Sequence, residues 1–323
     1  MIISRTPFRI SFAGGGSDLK EYYRHSPGAV TSTAINKYMY VTVNKRFEKT
    51  VRVSYSKTEI VENADQLNHE LIRAAMKKTG VTSGVEITTI ADVPAKSGLG
   101  SSSSLTVGVL NALYAFQGKH RSPEQLAREA CEIEIDIVKE PIGKQDQYAA
   151  AYGGLNYIRF NSDETVDVQP VSCTKDVKEE LSDSLLMFYL GAREGERSIL
   201  KEQSKKTHVN LDTIGRMAAL AGETRKAIES GDLSGFGRLL HEGWEFKKKL
   251  ASGISNPRID DIYGRAQKAG ALGGKVLGEG GGGFVLLYCE KSNQQKLRES
   301  LADLSEFEFA FEPFGSRIIY VGD

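Results

Sequence analysis

The sequence predicts an α+β protein of two domains, which we place at residues 1–175 and 176–323. The chain has 323 residues, enough for two domains of ordinary size with a core in each. Strand and helix patterns are mixed in both halves, without the regular alternation that a doubly wound parallel sheet requires. The composition turns polar between residues 170 and 183, and this change marks the predicted domain boundary.

The N-terminal half begins with strands. Alternating apolar and polar residues predict strands in RTPFRISF, in YMYVTVNKRF and, ended by Pro94, in GVEITTIADVP. Between the last two, NHELIRAAMKKTG has the pattern of a helix, with Gly80 at its C-terminal end. A second helix is predicted from about residue 102 to residue 116.

The third predicted helix covers SPEQLAREACEIEIDIV, with Ser122 as its N-cap. Its buried face is predicted by an apolar stripe with helical spacing, formed by Leu126, Ala130, Ile133 and Ile137. The segments LNYIRF and TVDVQPV follow and have the pattern of a β-hairpin.

The C-terminal half combines helices with a buried strand, SLLMFYLG, and later strands in FVLLYCE and RIIYVGD. Its predicted helices are Glu196–Lys205, Leu211–Ser230, Ser234–Ala251, Pro257–Ala269 and one near Asn293–Leu304.

The bulk composition argues against several classes of function. Lys and Arg number 42, as do Asp and Glu, so no global field favours nucleic acid or an anionic membrane. No apolar run approaches the roughly 18 residues that span a bilayer, and the N-terminus lacks a signal peptide's apolar core. The cysteines and histidines show no metal-ligand spacing, and no G-x-S-x-G elbow is present. We therefore expect a cytoplasmic protein that has no nucleic-acid or membrane partner.

The stretch PAKSGLGSSSS joins a loop to the helix predicted from residue 102. The first turn of a helix has unpaired N–H groups and partial positive charge, and Gly98 and Gly100 would let a phosphate approach the backbone closely. A serine hydroxyl there can also bind Mg²⁺. An ordinary helix cap is the alternative, although one serine suffices for a cap and four follow one another here. No lysine follows Gly100, so the loop is not a Walker A motif.

Two more glycine clusters lie next to strands. Residues 278–283 satisfy G-x-G-x-x-G, but a strand rather than a helix follows, so they do not form a dinucleotide-binding motif. They form either a tight turn or a loop that lies against a ligand. Residues 14–16 follow the strand that carries Arg9, and Asp18 comes just after them. Arg9 could alternatively be an ordinary exposed strand residue, and Asp18 could be an ordinary turn or helix-cap residue.

Acidic residues are concentrated between residues 132 and 146. Glu132, Asp136 and Glu140 are expected on a solvated helix face. Glu134 borders the apolar stripe, where a partly buried carboxylate needs a partner and a cation is one candidate. Asp146 precedes the small-residue segment YAAAYGG, and a polar helix cap is the alternative there.

Taken in order, these motifs resemble those of the GHMP kinases, a family that includes galactokinase, homoserine kinase, mevalonate kinase and phosphomevalonate kinase. The family's first motif, a Pro-x-Lys/Arg strand leading to a glycine turn and an acid, is matched by TPFRISFAGGGSD. The second, Pro-x-x-x-Gly-Leu-Gly-Ser-Ser, is matched by PAKSGLGSSSS, and the third, a C-terminal glycine turn, is similar to GGKVLGEGGGGFVLL. The resemblance implies a two-domain GHMP-kinase-like fold, with the active site in the cleft between the domains, and ATP and Mg²⁺ as cofactors.

The resemblance also implies roles for single residues. Ser102 and Glu134 would hold Mg²⁺, Asp146 would orient or deprotonate the acceptor hydroxyl, and Arg9 would lie near the reacting oxygen. Asp18 matches a position that binds acceptor hydroxyls in sugar kinases. The implied nucleotide-binding residues are Pro94, Ser97, Gly98, Leu99, Gly100, Ser101, Ser102 and Ser103, and the implied acceptor-binding residues are Gly16, Ser17, Asp18, Asp146, Gly280 and Gly281. Lys96 departs from the family pattern and would add a cation near the phosphates, with a solvated loop lysine as the alternative.

The acceptor is predicted from the branch of the family that the chain resembles. RTPFRISFAGGGSD, GKQDQYAAAYGG and LGAREGERSILKEQ are similar to the branch that phosphorylates the anomeric hydroxyl of D-glycero-D-manno-heptose 7-phosphate. An acceptor that already carries a phosphate needs a cationic seat, for which Arg193 and Arg197 are candidates, with an exposed helix face as the alternative. GGGSD replaces the Gly-Glu-His pattern of galactokinases, which argues against galactose.

Two alternatives stay open at this point. One is another sugar 1-kinase, fucokinase-like or galactokinase-like, and the other is a catalytically inactive sensor of sugar or nucleotide. A sensor should lack the acid or the Mg²⁺ ligands, whereas Asp146, Glu134 and Ser102 are all present. We therefore expect a sugar or sugar phosphate as the small-molecule partner, and homo-oligomerisation is left open.

Overall fold

In the computed structural model, which describes residues 1–192 and 198–322, the strands form two sheets with helices packed against them. The strands are β1 (Ile2–Ala13), β2 (Gly28–Lys45), β3 (Val51–Ser54), β4 (Thr58–Val61), β5 (Val85–Ala91), β6 (Leu155–Phe160), β7 (Val166–Pro170), β8 (Leu185–Gly191), β9 (Ala271–Val276), β10 (Gly283–Cys289), β11 (Ser305–Glu306) and β12 (Arg317–Val321). The helices are α1 (Lys20–Tyr23), α2 (Glu70–Thr79), α3 (Ser101–Phe116), α4 (Pro123–Cys131), α5 (Gln145–Tyr152), α6 (Lys175–Asp183), α7 (Ser198–Lys206), α8 (Leu211–Ser230), α9 (Leu233–Lys247), α10 (Pro257–Lys268) and α11 (Gln294–Ser300). This mixture of sheets and helices confirms the predicted α+β class.

The larger sheet is organised by the long strand β2. Its second half pairs antiparallel with β5, its first half pairs antiparallel with β6, and β1 runs antiparallel along almost its whole length. The last strand, β12, returns from the C-terminal half and pairs antiparallel with β1. The predicted hairpin of β6 and β7 forms at the opposite side of β2.

The smaller sheet lies in the C-terminal half, in the order β11-β8-β10-β9. Its strand β10 is buried along its whole length, as a continuous apolar run predicts. The two halves share apolar contacts, because Phe12 of β1 packs edge to face on Phe236 of α9, with ring centroids 5.2 Å apart. The first strand of the chain is therefore anchored to the C-terminal helices.

The helix predicted from residue 123 onward differs from the expected regular α-helix. It changes at Glu132 into a π-helical turn that ends at Ile137. A π-turn takes more residues per turn than an α-helix, so side chains beyond it are displaced from the face that helical spacing predicts. Ile133 is buried as predicted, but Ile137 is 51% exposed, so its assignment to the buried stripe is wrong.

Several other helix bounds differ from the predicted ones. The side chain of Asp232 accepts a hydrogen bond from the N–H of Gly235, and α9 therefore begins at Leu233. The helix predicted near residues 293–304 is the shorter α11 (Gln294–Ser300). The polar stretch of residues 170–183, interpreted from the sequence as a domain boundary, contains the helix α6. Among the described residues, no helix is both long enough and apolar enough to cross a membrane.

Candidate active site

The N-terminus of α3 has no side-chain cap. Its N-cap is Gly100, in the left-handed region at φ +79°, and a glycine has no side chain that could accept a hydrogen bond from the first turn. The nearby serine hydroxyls are used elsewhere, since Ser102 and Ser103 donate to Glu134 and Ser104 donates to the carbonyl of Pro7. The first-turn N–H groups of this helix therefore offer an anion site, and the helix-cap alternative does not describe these serines.

Glu134 lies beneath this helix end and is fully buried. One of its oxygens accepts from the hydroxyls of Ser102, at 2.5 Å, and Thr106, at 3.2 Å. The other accepts from Ser103, at 2.7 Å, and from the amide of Gln147. Burial raises the pKa of Glu134 to about 7, although the hydroxyl and amide donors oppose that shift.

This carboxylate and its serine fit a magnesium site. Mg²⁺ is usually bound by one or two carboxylates together with phosphate oxygens and water, rather than by a complete protein cage. In the described part of the chain, no group of three or more His, Cys, Asp and Glu side chains forms a cage of its own. Within the described ranges, the hydrogen-bond donors of Glu134 are all neutral, so a cation at Ser102 would supply the missing positive charge.

Arg9 and Asp146 form a two-pronged ion pair beside the same helix end. The Nε and Nη2 atoms of Arg9 each donate to one oxygen of Asp146, both at 2.7 Å. The third contact of the guanidinium is Nη1 to the carbonyl of Gly98, also at 2.7 Å. Arg9 is buried on β1, and Asp146 is the second residue of α5, so strand and helix together hold the carboxylate in place.

The distance between the serine loop and this ion pair is short. A Cβ atom added at Gly100 would lie 3.3 Å from Arg9 Cγ and 3.3 Å from Asp146 Oδ2. The amides at the start of α3 and the Asp146 carboxylate therefore lie on the same side of the molecule, next to each other. A phosphate on those amides would be adjacent to both a cation and a carboxylate.

Asp18 lies close by, in the turn formed by the first glycine cluster. One oxygen accepts from the N–H of Gly16, at 2.9 Å, and the other accepts from the side-chain amide of Gln145, at 3.0 Å. Burial raises the pKa of Asp18, and the charge of Asp146 adds to the shift. The hydroxyl of Ser17 is buried and donates to the carbonyls of Gly14 and Ala29, so it stabilises the turn itself.

The C-terminal glycine run packs directly on the serine loop. A Cβ at Gly98 would lie 2.6 Å from the carbonyl oxygen of Leu277, and one at Gly283 would lie 2.5 Å from that of Ser97. The run is therefore both a turn between β9 and β10 and a wall of the site. Gly280 and Gly281 lie farther along it and contact Ile254, whose carbonyl accepts from the N–H of Gly281 at 2.9 Å.

The remaining predicted nucleotide-binding residues differ in exposure. Pro94 and Lys96 are exposed on the loop, whereas the side chain of Leu99 is buried and its carbonyl accepts from the N–H of Arg9. Ser97 is buried and Ser101 half-buried. The two predicted phosphate-binding arginines, Arg193 and Arg197, lie outside the described residues.

Sequence reasoning missed two buried lysines behind the site. Lys275 of β9 donates to the carbonyl of Phe12 at 3.2 Å, and Lys247 of α9 donates to the carbonyls of Val276, at 3.0 Å, and Gly278, at 2.5 Å. Burial lowers the pKa of Lys275 well below its ordinary value, and the charge of Lys247 adds to the effect. The sequence signal for the burial of Lys275 is its place inside the otherwise apolar segment GGKVLG.

Gln145 and Gln147 were also missed, although both flank Asp146. Their amides donate to Asp18 and to Glu134, so one short helix connects three carboxylates. The sequence gives no pattern that would distinguish these amides from ordinary helix residues.

Comparison with known proteins identifies matching family models in both halves. The model of the GHMP kinases N terminal domain matches residues 66–154, and the model of the GHMP kinases C terminal domain matches residues 224–305. The first match includes the serine loop, Glu134 and Asp146. The second includes both buried lysines and the glycine run.

Individual relatives match over almost the whole chain. D-glycero-alpha-D-manno-heptose 7-phosphate kinase of Campylobacter jejuni is 27% identical, with 96% of this chain and 97% of that protein covered. L-fucokinase/L-fucose-1-P guanylyltransferase of Bacteroides fragilis is 28% identical over 90% of this chain, which spans only 35% of that longer protein. The crystal structure of a D-glycero-D-manno-heptose 1-phosphate kinase from Bacteroides thetaiotaomicron superposes with a TM-score of 0.83, at 27% identity and with both chains fully covered.

Proposed function

Since the chain belongs to the GHMP kinases, and is therefore an ATP-dependent phosphotransferase with an alcohol group as acceptor, we propose that its acceptor is a heptose phosphate. The hydroxyl that receives the phosphoryl group is the anomeric one of D-glycero-D-manno-heptose 7-phosphate, and the product is the 1,7-bisphosphate. This reaction would supply a precursor for nucleotide-activated heptose.

One observation carries the proposed chemistry: the uncapped start of α3 lies beside the Arg9–Asp146 ion pair. Phosphoryl transfer depends mainly on positioning and on stabilising the charge of the transferred group. The amides of residues 101–103 and the Arg9 guanidinium supply positive charge at one place. The Asp146 carboxylate is next to them, where it would accept the proton of an acceptor hydroxyl.

The nucleotide and metal have separate places in this proposal. The loop of residues 94–103 binds the phosphates of ATP, and Ser102 and Glu134 hold the Mg²⁺ ion. When bound, that ion would neutralise charge on the phosphates of the nucleotide. Glu134 binds a cation in its ionised form, so the hydroxyls of Ser102 and Ser103 have to stabilise the carboxylate before the ion arrives.

The choice of a sugar acceptor is supported by the Asp18 turn. Asp18 is held by Gly16 and Gln145 close enough to Asp146 for their charges to interact. Two adjacent carboxylates suit an acceptor with several hydroxyl groups, because each carboxylate accepts hydrogen bonds from neighbouring hydroxyls. The choice of a heptose phosphate is supported by the names of two relatives, which differ over whether the phosphate is at position 7 or position 1.

A free sugar such as L-fucose is the second candidate acceptor. The observation in its favour is the similarity to the fucokinase of Bacteroides fragilis, which is as extensive in identity as the similarity to the heptose kinase. The difference between the two candidates is whether the acceptor already carries a phosphate.

The test is a ³¹P NMR assay of ATP and Mg²⁺ with four acceptors: D-glycero-D-manno-heptose 7-phosphate, the same heptose without phosphate, L-fucose and D-galactose. We expect the heptose 7-phosphate to give the highest kcat/KM and a new anomeric phosphate signal. A higher kcat/KM for L-fucose or D-galactose would contradict the proposed acceptor. ADP formation without any sugar product would contradict the kinase reaction on these sugars.

A further inference from the structure

A pocket in the C-terminal half is not used by the chemistry described so far. It has a volume of about 590 Å³ and is partly open to solvent. Its floor is Gly281 and Gly282, one wall is the end of β8 with α7, and the other is the start of α10 with the loop before it. This volume is within the range of small-molecule sites, so the pocket can hold part of a sugar phosphate.

The pocket is adjacent to the reaction site. Gly278 packs on Gly98 of the serine loop and is three peptide units from Gly281, so Gly281 lies at most about 11 Å from the residue that contacts the loop. A second connection runs through α7, where Gln203 packs against Gly16 while the neighbouring Glu202 lines the pocket. An acceptor whose reacting hydroxyl is at Asp146 can therefore extend its other end into this space.

Arg258 supplies positive charge at one wall of the pocket. Its Nη1 atom donates to the carbonyl of Leu190 at 2.8 Å, which fixes the guanidinium at the pocket and leaves its other N–H groups for a ligand. Within the described ranges, no acidic side chain forms an ion pair with Arg258. It is also the second residue of α10, so the positive end of that helix dipole lies at the same wall.

The acid that lines the pocket is already neutralised. Glu202 accepts from the ammonium group of Lys206, at 2.6 Å, and from the N–H and hydroxyl of Ser252, at 3.0 Å and 2.6 Å. The rest of the lining includes apolar side chains, among them Ile199 and Ile259. A cationic group beside apolar walls suits a carbon skeleton that ends in an anion.

We propose that this pocket binds the end of the acceptor that is remote from the reacting hydroxyl, and that Arg258 binds the phosphate which the acceptor already carries. The inference rests on the proposed function, because it assumes a phosphorylated sugar as acceptor. Arginine presents parallel N–H groups that match the oxygens of a phosphate, so one well-placed guanidinium distinguishes a phosphorylated from an unphosphorylated acceptor. Among the described residues, Arg258 is then one that determines acceptor specificity.

The experiment compares R258Q with the wild-type chain and with R238Q, a matched substitution of an exposed arginine on α9. KM and kcat are measured for heptose 7-phosphate, for the unphosphorylated heptose and for ATP. We expect R258Q to raise KM for the heptose 7-phosphate by roughly ten- to a hundredfold, which corresponds to the loss of a charged hydrogen bond. R258K keeps the positive charge but lacks the parallel N–H groups of arginine, so its KM for heptose 7-phosphate should lie between those of R258Q and wild type. The KM of R238Q should match that of wild type.

The outcomes separate this inference from the proposed function. If the wild-type chain uses only unphosphorylated sugars, the proposed function is wrong, and so is the proposed phosphate-binding role of Arg258. The wild-type chain could instead use heptose 7-phosphate while R258Q changes KM for both heptoses and ATP alike, or for none of them. In that case the proposed function stands, and the proposal that Arg258 binds the acceptor's phosphate is overturned. Thermal unfolding of each variant shows whether a general increase in KM reflects a damaged fold.

Discussion

Asp146 has both carboxylate oxygens bound to one arginine in the structure. Arg9 is held on three sides, by two bonds to Asp146 and one to Gly98, so its position depends on the serine loop as well as on the acid. A nucleotide phosphate that enters beside Gly98 would approach the same guanidinium. In the proposed reaction, phosphate binding and the position of the acid are thereby connected through one side chain.

The first prediction concerns Asp146→Asn. An asparagine has nearly the same shape but cannot take a proton from the acceptor, and a general base typically contributes about 10²–10⁴-fold to the rate. We expect kcat to fall at least about a hundredfold while the affinity for ATP changes by less than about threefold. Steady-state kinetics and nucleotide titration measure the two quantities.

Asp136→Asn is the control for that experiment, because Asp136 is exposed on the π-turn and its ion pair with Lys20 is long, at 3.7 Å. Its kinetics should match those of wild type. Retained turnover in the Asp146→Asn variant would remove this residue from the mechanism.

The second prediction follows from the buried Glu134. Its pKa is raised from 4.5 to about 7 in the folded chain, so the fold favours the protonated form. The stabilisation from this group is complete below pH 4.5 and is lost as the pH rises through 7, by about 3 kcal/mol in total. Without Mg²⁺ and nucleotide, the wild-type free energy of unfolding should therefore decline over this interval.

Glu134→Gln should lack that decline, since glutamine does not ionise. The free energy of unfolding of the variant, relative to that of wild type, should therefore increase between pH 5 and pH 8. Urea denaturation at each pH measures this difference. The variant should be inactive as a kinase. Glu62→Gln, at an exposed position, should follow the wild-type curve. Parallel curves for Glu134→Gln and wild type would show that Glu134 ionises normally in the fold.

At the scale of one element, the π-turn between α4 and α5 determines which acids enter the site. The N–H of Val138 donates to the carbonyl of Ile133, five residues earlier, at 2.9 Å. With the extra residue in this turn, Glu134 is buried and Ile137 is exposed. An unbroken α-helical stripe predicts a buried Ile137 instead. Such turns are frequent at functional sites, and here the turn carries a proposed metal ligand.

The third prediction compares two isoleucines of that turn. Ile133→Ala should lower the free energy of unfolding by about 2–5 kcal/mol, because it leaves a cavity in the core. Ile137→Ala should cost less than about 1 kcal/mol, because the side chain is half exposed. Chemical denaturation of the two variants measures both values, and equal losses would mean that the helix continues in α-helical phase.

At the scale of the whole molecule, the site lies where elements of both halves meet. The glycine run of the C-terminal half packs on the serine loop, and Lys275 binds the end of β1. The last strand, β12, also returns to the N-terminal sheet. The geometry of the serine loop therefore depends on contacts between residues that are far apart in the chain.

The fourth prediction tests this contact with two glycines of similar backbone conformation. Gly98 and Gly80 have φ angles of +84° and +77°, but a Cβ at Gly98 would lie 2.6 Å from the Leu277 carbonyl, whereas nothing lies within 4 Å of one at Gly80. Gly80→Ala should cost about 1–2 kcal/mol from backbone strain alone. Gly98→Ala should cost more and should also raise KM for ATP at least about tenfold, because the two loops have to separate.

Denaturation and ATP kinetics of both variants provide the comparison. If Gly98→Ala lost no more stability than Gly80→Ala and kept its KM for ATP, close packing of the two loops would not matter for nucleotide binding.

Much of the fold and site could be predicted from the residues themselves, since the features concerned are local. The bounds of α8 agree with the predicted ones, and α3 begins at Ser101, one residue before the predicted start. The association of Arg9, Asp146 and Glu134 with one site came from family motifs in sequence order. Their spacing alone left each of them with an ordinary structural alternative.

The sequence by itself determined which local segments become strands, helices and glycine turns, and which residue types stand at the start of α3. Only the tertiary structure decided that the π-turn buries Glu134, that Gln145 and Gln147 connect it with Asp18, and that Arg258 borders a pocket next to the glycine run. The physical reason is the range of the interactions. Backbone preference and apolar periodicity act over a few neighbouring residues, whereas burial, carboxylate partners and pocket walls arise from segments that meet only after the chain has folded.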